Sequence, residues 1–143
     1  MKKKILDLYM GFAEDVANLS HARRLKVGSV IVKDDRIISY GYNGTSPGSD
    51  NNCENEIVDE IGSPILTTKA EVIHSEMNAI GKLARSHESG HDAIMVMTRS
   101  PCIECAKAIG VAGISKLIYK DEYRSTDGID YLRKNGVDVM KYQ

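Results

Sequence analysis

The chain offers two short stretches whose residue types could do chemistry. "VIHSEMNAIGKL", residues 72–83, carries His74 and Glu76, and "SPCIEC", residues 99–105 with the preceding arginine, carries Cys102 and Cys105. Ile73, Met77 and Ile80 in the first stretch fall at helical spacing and read as the apolar face of a helix. A packing helix needs neither a histidine nor a glutamate in its first turn. Cys102 and Cys105 are three apart, on one face of a first helical turn, which is a chelating arrangement. His74, Cys102 and Cys105 together make three soft ligands for zinc. Three protein ligands leave one tetrahedral position for water, the mark of a catalytic site. Zinc lowers the pKa of such a water to about 7. Glu76 then stands where it can move protons without being a ligand.

Other readings of the same residues compete. A closed structural zinc needs a fourth ligand, for which Cys53, His87 and His91 are the candidates. A redox Cys-x-x-Cys pair leaves the His-x-Glu unexplained. A metalloprotease helix would need histidine at position 78, which is Asn78. The combination H-x-E…P-C-x-x-C is a known signature of zinc nucleobase deaminases.

The elements that must hold these residues follow from periodicity. A first helix is expected over 2–21, with Ile5, Tyr9, Phe12, Ala13 and Val16 at helical spacing. A hairpin follows, with strands over 27–33 and 36–42 and Asp34-Asp35 at its turn. Residues 44–70, rich in glycine, proline and acidic residues, read as one long irregular loop. A helix over 74–86 and a buried strand over 93–97 come next. Then comes a helix capped by Ser100, opened by Pro101 and closed by Gly113. A strand over 116–120, a short helix over 127–135 and a strand over 137–142 complete the chain. The alternation predicts a three-layer α/β/α sandwich with a mixed five-stranded sheet. Side-by-side packing of the two site helices would bring their N-termini together, where the partial positive charge favours thiolates.

Composition narrows the class. At 143 residues, 42% hydrophobic and 27% charged, the sequence suits one globular domain over 1–143. No apolar run approaches the roughly 20 residues of a membrane span. Three cysteines and no export-like segment point to a reducing, cytoplasmic setting rather than a disulfide framework. A net charge of −1 shows no basic excess of the kind nucleic-acid binders carry. Between Thr45 and Glu76 seven acidic residues face a single lysine, Lys69, which a polyanion approaching the site would oppose.

With these motifs in place, the chain resembles the cytidine deaminase superfamily, and within it the deoxycytidylate (dCMP) deaminases of phage or bacterial type. "RLKVGSVIVKDDRIISYGYNGT", "IHSEMNAI", "SPCIECAKAI", "GISKLIYKDEY" and "GIDYL" carry the likeness, which runs from about residue 20 to 140. Two departures stand out. The family commonly has alanine where this chain has Ser75. Some members hold a second, structural zinc, but here only Cys53 remains of its ligands, so one zinc per chain is expected.

The resemblance implies hydrolysis of dCMP to dUMP and ammonia, supplying thymidylate synthesis, with Glu76 as the proton carrier. It implies that Asn43 holds the sugar, that Ser100 touches base or sugar, and that a backbone group of Ser75 or Cys102 holds the C4 oxygen. Tyr123 and Arg124 are the candidates for the 5′-phosphate. It further implies a homohexamer regulated by dCTP as activator and dTTP as inhibitor. The expected effector site comprises Arg24, Lys26, Gly44 and Thr45, with Mg²⁺ accompanying the triphosphate. The alternatives are a related deaminase acting on another nucleoside or base, a tRNA adenosine deaminase, and a non-catalytic binding protein on the same scaffold.

Overall fold

Apolar residues run unbroken along the central strands, and successive ones are buried against different helical layers. The computed structural model describes all 143 residues. In chain order the elements are α1 (Lys3–Ala17), β1 (Gly28–Lys33), β2 (Arg36–Tyr42), β3 (Glu54–Val58), β4 (Pro64–Thr68), α2 (Ser75–Ala84), β5 (Ile94–Arg99), α3 (Ile103–Val111), β6 (Lys116–Asp121), α4 (Asp127–Lys134) and β7 (Asp138–Lys141). The main sheet has five strands in the order β2-β1-β5-β6-β7. β1 pairs antiparallel with β2 and β5, while β5–β6 and β6–β7 are parallel. The expected mixed sheet between helical layers is therefore present.

Val30, Val32, Val96 and Ile118 pack against Leu6, Tyr9, Met10 and Ala13 of α1. The opposite parity, Ile31, Met95, Met97, Leu117 and Tyr119, packs beneath α2, α3 and α4 through Ala79, Leu83, Ala106, Ile109, Ile129 and Leu132. This period-two division is what a sheet covered on both faces requires. Asp34 and Asp35 turn the β1–β2 hairpin with φ of 51° and 58°. That pairing of left-handed residues suits the tight turn whose twist matches its strands.

Two close approaches set the helices that carry the site. A Cβ at Gly41 would stand 2.5 Å from both the Ser75 carbonyl and the Ala79 amide, so β2 meets the first turn of α2 backbone to backbone. A Cβ at Gly128 would stand 2.3 Å from the Pro101 carbonyl, so α4 presses equally hard on the turn entering α3. Glycine is the residue that permits such contact.

The segment 44–70 departs from expectation. It contains a separate two-stranded sheet, β3–β4, with Glu54 opposite Thr68 and Val58 opposite Pro64. Pro64 opens its strand, the position where a missing N–H does least harm. The turn is closed by the Asp59 carboxylate, which accepts from the Ile61 and Ser63 amides, and by Gly62 at φ 87°. Neither face of the hairpin is buried beyond Glu54, so no alternation betrays it in the sequence. No helix is long and apolar enough to cross a membrane.

Candidate active site

The site forms at one end of the main sheet. The parallel strands β5 and β6 deliver Arg99-Ser100 and Tyr123-Arg124 from their C-terminal ends, where open α/β sheets place ligands. The antiparallel β1 and β2 bring Val27 and Asn43 to the same end. The β3–β4 hairpin supplies the facing wall, from Ile65 to Ala70.

Two helices start here, and each is capped by a residue expected as a zinc ligand. His74 is the N-cap of α2 and Cys102 the N-cap of α3, both in extended conformation. Neither side chain caps its helix, which leaves each free to turn toward the other. Cys105 follows in the first turn of α3. The expected opening of that helix is corrected in detail. α3 begins at Ile103, so Pro101 precedes the cap and Ser100 caps nothing. Instead Ser100 is buried, and its Oγ accepts the Tyr123 amide at 2.7 Å, which ties the end of β5 to the loop after β6.

His74 Nδ1 lies 3.6 Å from Cys102 Sγ and 3.3 Å from Cys105 Sγ, and the three ligand atoms lie within 4.8 Å of one another. A tetrahedral zinc with bonds of about 2.3 Å to sulfur and about 2.0–2.1 Å to nitrogen puts sulfur and nitrogen roughly 3.6 Å apart. The donor set and its spacing therefore fit zinc. No fourth histidine, cysteine or carboxylate joins the group, so the set is that of an open site. Cys53 lies elsewhere, buried with Ala22 and Val72. Cys102 is pushed down to about 3 by the hydrogen bonds from Cys105 and then His74, and Cys105 is pushed up by the neighbouring sulfur and by burial. A zinc dication held by these residues would take both sulfurs as thiolates.

Glu76, in the first turn of α2, is 4% exposed. Burial raises its carboxyl above the usual carboxylate range, opposed by hydrogen bonds from its own backbone and from Ser75. A carboxyl so placed gives up and regains a proton more readily near neutral pH than an exposed one.

Around these groups lies a cavity of about 680 Å³. Its wall carries Arg24, Lys69, Arg99 and Arg124, and its one carboxylate is Glu76. None of the four cations has a carboxylate partner within ion-pair distance. Apart from Glu76, the acidic residues counted between Thr45 and Glu76 do not line this wall. The Glu54 carboxylate is buried and accepts the Arg23 and Arg24 amides at 3.0 Å each, Glu56 pairs with Arg23, and Asp59 closes its own turn. Through Glu54 the hairpin holds Arg24 in place.

The residues expected around the substrate fall as follows. His74, Ser75, Glu76, Ser100, Cys102, Asn43, Tyr123 and Arg124 all line the cavity. The Asn43 amide is spent on its own scaffold: Oδ1 accepts from the Val27 amide at 2.9 Å, and Nδ2 donates to the Leu25 carbonyl at 2.8 Å. Arg124 stacks over the Tyr123 ring at 5.4 Å. The expected effector residues divide between this cavity and the surface outside it. Arg24 belongs to the same cavity as the zinc ligands, whereas Lys26, Gly44 and Thr45 lie outside its wall. The Gly44 amide is engaged with the Ile73 carbonyl at 3.1 Å, and the Thr45 hydroxyl donates to the Asp50 carbonyl. That turn consequently does not offer the Gly44 N–H as an anion ligand. Sequence reasoning missed Lys69 and Arg99. The signals were there: Lys69 is the one base in an acidic run, and Arg99 directly precedes Ser100.

Comparison with known proteins agrees with this geometry. Residues 3–121 match the model of the family described as the cytidine and deoxycytidylate deaminase zinc-binding region. The chain is 36% identical to a deoxycytidylate deaminase of enterobacteria phage T2, over 80% of each chain. It superposes with a TM-score of 0.88 on a dCMP deaminase of the cyanophage S-TIM5, solved in complex with dCMP and dUMP. The two are 43% identical, and the match covers 99% of this chain and 98% of that one. A tRNA-specific adenosine deaminase of Streptococcus pyogenes is 30% identical over 76% of this chain and 53% of its own length.

Proposed function

We propose, from the premise that this chain belongs to the cytidine and deoxycytidylate deaminase zinc-binding family, that it hydrolyses dCMP to dUMP and ammonia. The observation that carries the reading is one cavity joining a three-ligand zinc set and the buried Glu76 to four cations without acidic partners. The first half is deaminase machinery. The second suits a substrate bearing a phosphate, which a free nucleoside or base lacks.

Zinc, when bound by His74, Cys102 and Cys105, acts as a Lewis acid that lowers the pKa of its water to about 7. Glu76 takes a proton from the attacking water and gives it to N3 of the cytosine ring. It then carries the second proton to the departing 4-amino group, which leaves C4 as ammonia. The residual oxygen on C4 completes dUMP, so one water is consumed for each ammonia released. The N-termini of α2 and α3, which carry His74 and Cys102, put their partial positive charge on the side of the cavity where charge would develop on the ring. The hairpin wall from Ile65 to Ala70 limits water around the base.

Arg124 and Lys69 are the proposed phosphate ligands, with Arg24 and Arg99 beside them. Arg124→Ala or Lys69→Ala should lower kcat/KM for dCMP by about tenfold, the worth of one charge-assisted hydrogen bond. The same variants should leave the slower deamination of deoxycytidine unchanged. Equal losses on both substrates would place these cations outside the phosphate site.

Regulation by dCTP and dTTP, and assembly as a homohexamer, extend the same reading. Lys26 is exposed and has no acidic partner. It lies between Leu25 and Val27, the two residues clamped by the Asn43 amide. A triphosphate bound at Lys26, with its own Mg²⁺, would thus shift Asn43 and the cavity wall together. The exposed Ile57, Val58, Ile61 and Ile65 of the hairpin give apolar surface for contacts between copies. Saturation curves for dCMP should become steeper or shift with dTTP and straighten with dCTP. Identical hyperbolic curves in all three conditions would contradict the regulation.

A further inference from the structure

Behind Glu76 lies a pair of buried hydroxyls that the zinc chemistry does not call for. Ser75 Oγ donates to Glu76 Oε1 at 2.8 Å, and Ser29 Oγ lies 2.6 Å from Ser75 Oγ. Ser29 and Ser75 are both fully buried. Ser29 comes from β1, on the sheet face that α2 covers, and Ser75 is the first residue of α2. The Ser75 side chain is therefore turned onto the Glu76 carboxyl.

Proton counting fixes the direction of this chain. A hydroxyl has one hydrogen to give. Ser75 gives its hydrogen to Glu76, so between the two serines Ser29 must donate and Ser75 accept. The order Ser29→Ser75→Glu76 polarises the middle hydroxyl and strengthens its bond to the carboxylate. Glu76's own backbone amide and the Cys105 thiol also reach its carboxyl, but Ser75 is the one hydroxyl that does. Oε1 is thus the oxygen that the serine pair holds.

We infer that Ser75, backed by Ser29, is a positioning residue for the proposed proton carrier Glu76, reserving Oε1 as an anchor and Oε2 as the working oxygen. The inference rests on the deaminase reading above and adds a function for two residues the zinc site does not use. Without the anchor the carboxylate keeps its burial but loses its fixed rotation about the terminal bond, which is broad and nearly two-fold. Proton transfer then waits on a less populated orientation.

The test uses the zinc-loaded protein with Ser75→Ala, Ser29→Ala and the double variant. Alanine is the residue the family commonly carries at position 75, so the first variant should fold and keep its zinc. Its kcat should fall about tenfold, with KM within about twofold of the parent. Ser29→Ala should cost about threefold in kcat on its own and nothing further when Ser75 is already alanine. The ¹³C-carboxyl resonance of Glu76, assigned by its absence in Glu76→Gln, should shift in Ser75→Ala. An unchanged kcat, an equal cost of Ser29→Ala in both backgrounds, loss of zinc from Ser75→Ala, or an unmoved resonance would each overturn the inference. A resonance that shifts in a chain deaminating no cytosine nucleotide would uphold the anchor and overturn the deaminase reading alone.

Discussion

Glu76→Gln should fold, keep its zinc and lose roughly 10²–10⁴-fold in dCMP deamination, the usual worth of a placed proton carrier. The amide has nearly the same shape as the carboxyl and still accepts the Ser75 hydroxyl through its oxygen. It cannot take a proton from water or carry one to N3 and the leaving amine. Since Glu76 is buried and is the one carboxylate on the cavity wall, no neighbour can stand in for it. Its neutral replacement also removes the burial cost of the charged form, so the variant should be no less stable than the parent. Retention of more than about a tenth of the activity, with zinc content unchanged, would remove Glu76 from the proton path.

The second large effect concerns the metal. Cys102→Ala, and separately Cys105→Ala, should bring both zinc content and activity to background. Each leaves two ligands of three, and two ligands do not retain zinc against chelators in a site that also keeps a solvent position. Because a ligand bound to the folded state stabilises it, these variants should also melt at lower temperature than the zinc-loaded parent, and no differently from the parent after chelation. Cys53→Ala should leave the metal content unchanged, since Cys53 packs with Ala22 and Val72 away from the ligand cluster. Zinc near one per chain in Cys102→Ala, or two per parent chain, would contradict the assignment of ligands.

The parts of this site that were legible in the sequence share a property: their meaning is local. His74 and Glu76 stand within one turn, as do Cys102 and Cys105, and helix periodicity on either side locates both turns. The strands of the main sheet were legible because burial on both faces leaves unbroken runs such as those around Val30 and Met95. What escaped depends on contacts across the chain. The β3–β4 hairpin is exposed on both faces and carries no alternation. Ser100 has the composition of a helix cap, but the tertiary bond to the Tyr123 amide claims its hydroxyl. The net acidity of residues 45–76 does not describe the cavity wall, because charge counting ignores direction. Glu54 turns inward to the 23–24 backbone, while Lys69, a single residue, turns into the cavity. Ser29 lies 46 positions from Ser75, and a serine inside a strand announces nothing until the two oxygens are seen 2.6 Å apart.

The central claim joins a zinc site to a phosphate-bearing cytosine substrate, and product formation by the zinc-loaded protein tests it most directly. Incubated with dCMP, deoxycytidine and a tRNA anticodon stem in parallel, the protein should convert dCMP to dUMP with one ammonia released per dUMP. It should turn over deoxycytidine far more slowly and leave the tRNA adenosine intact. Folded, zinc-loaded protein that forms no dUMP, or that deaminates the anticodon adenosine in preference to dCMP, would contradict the account.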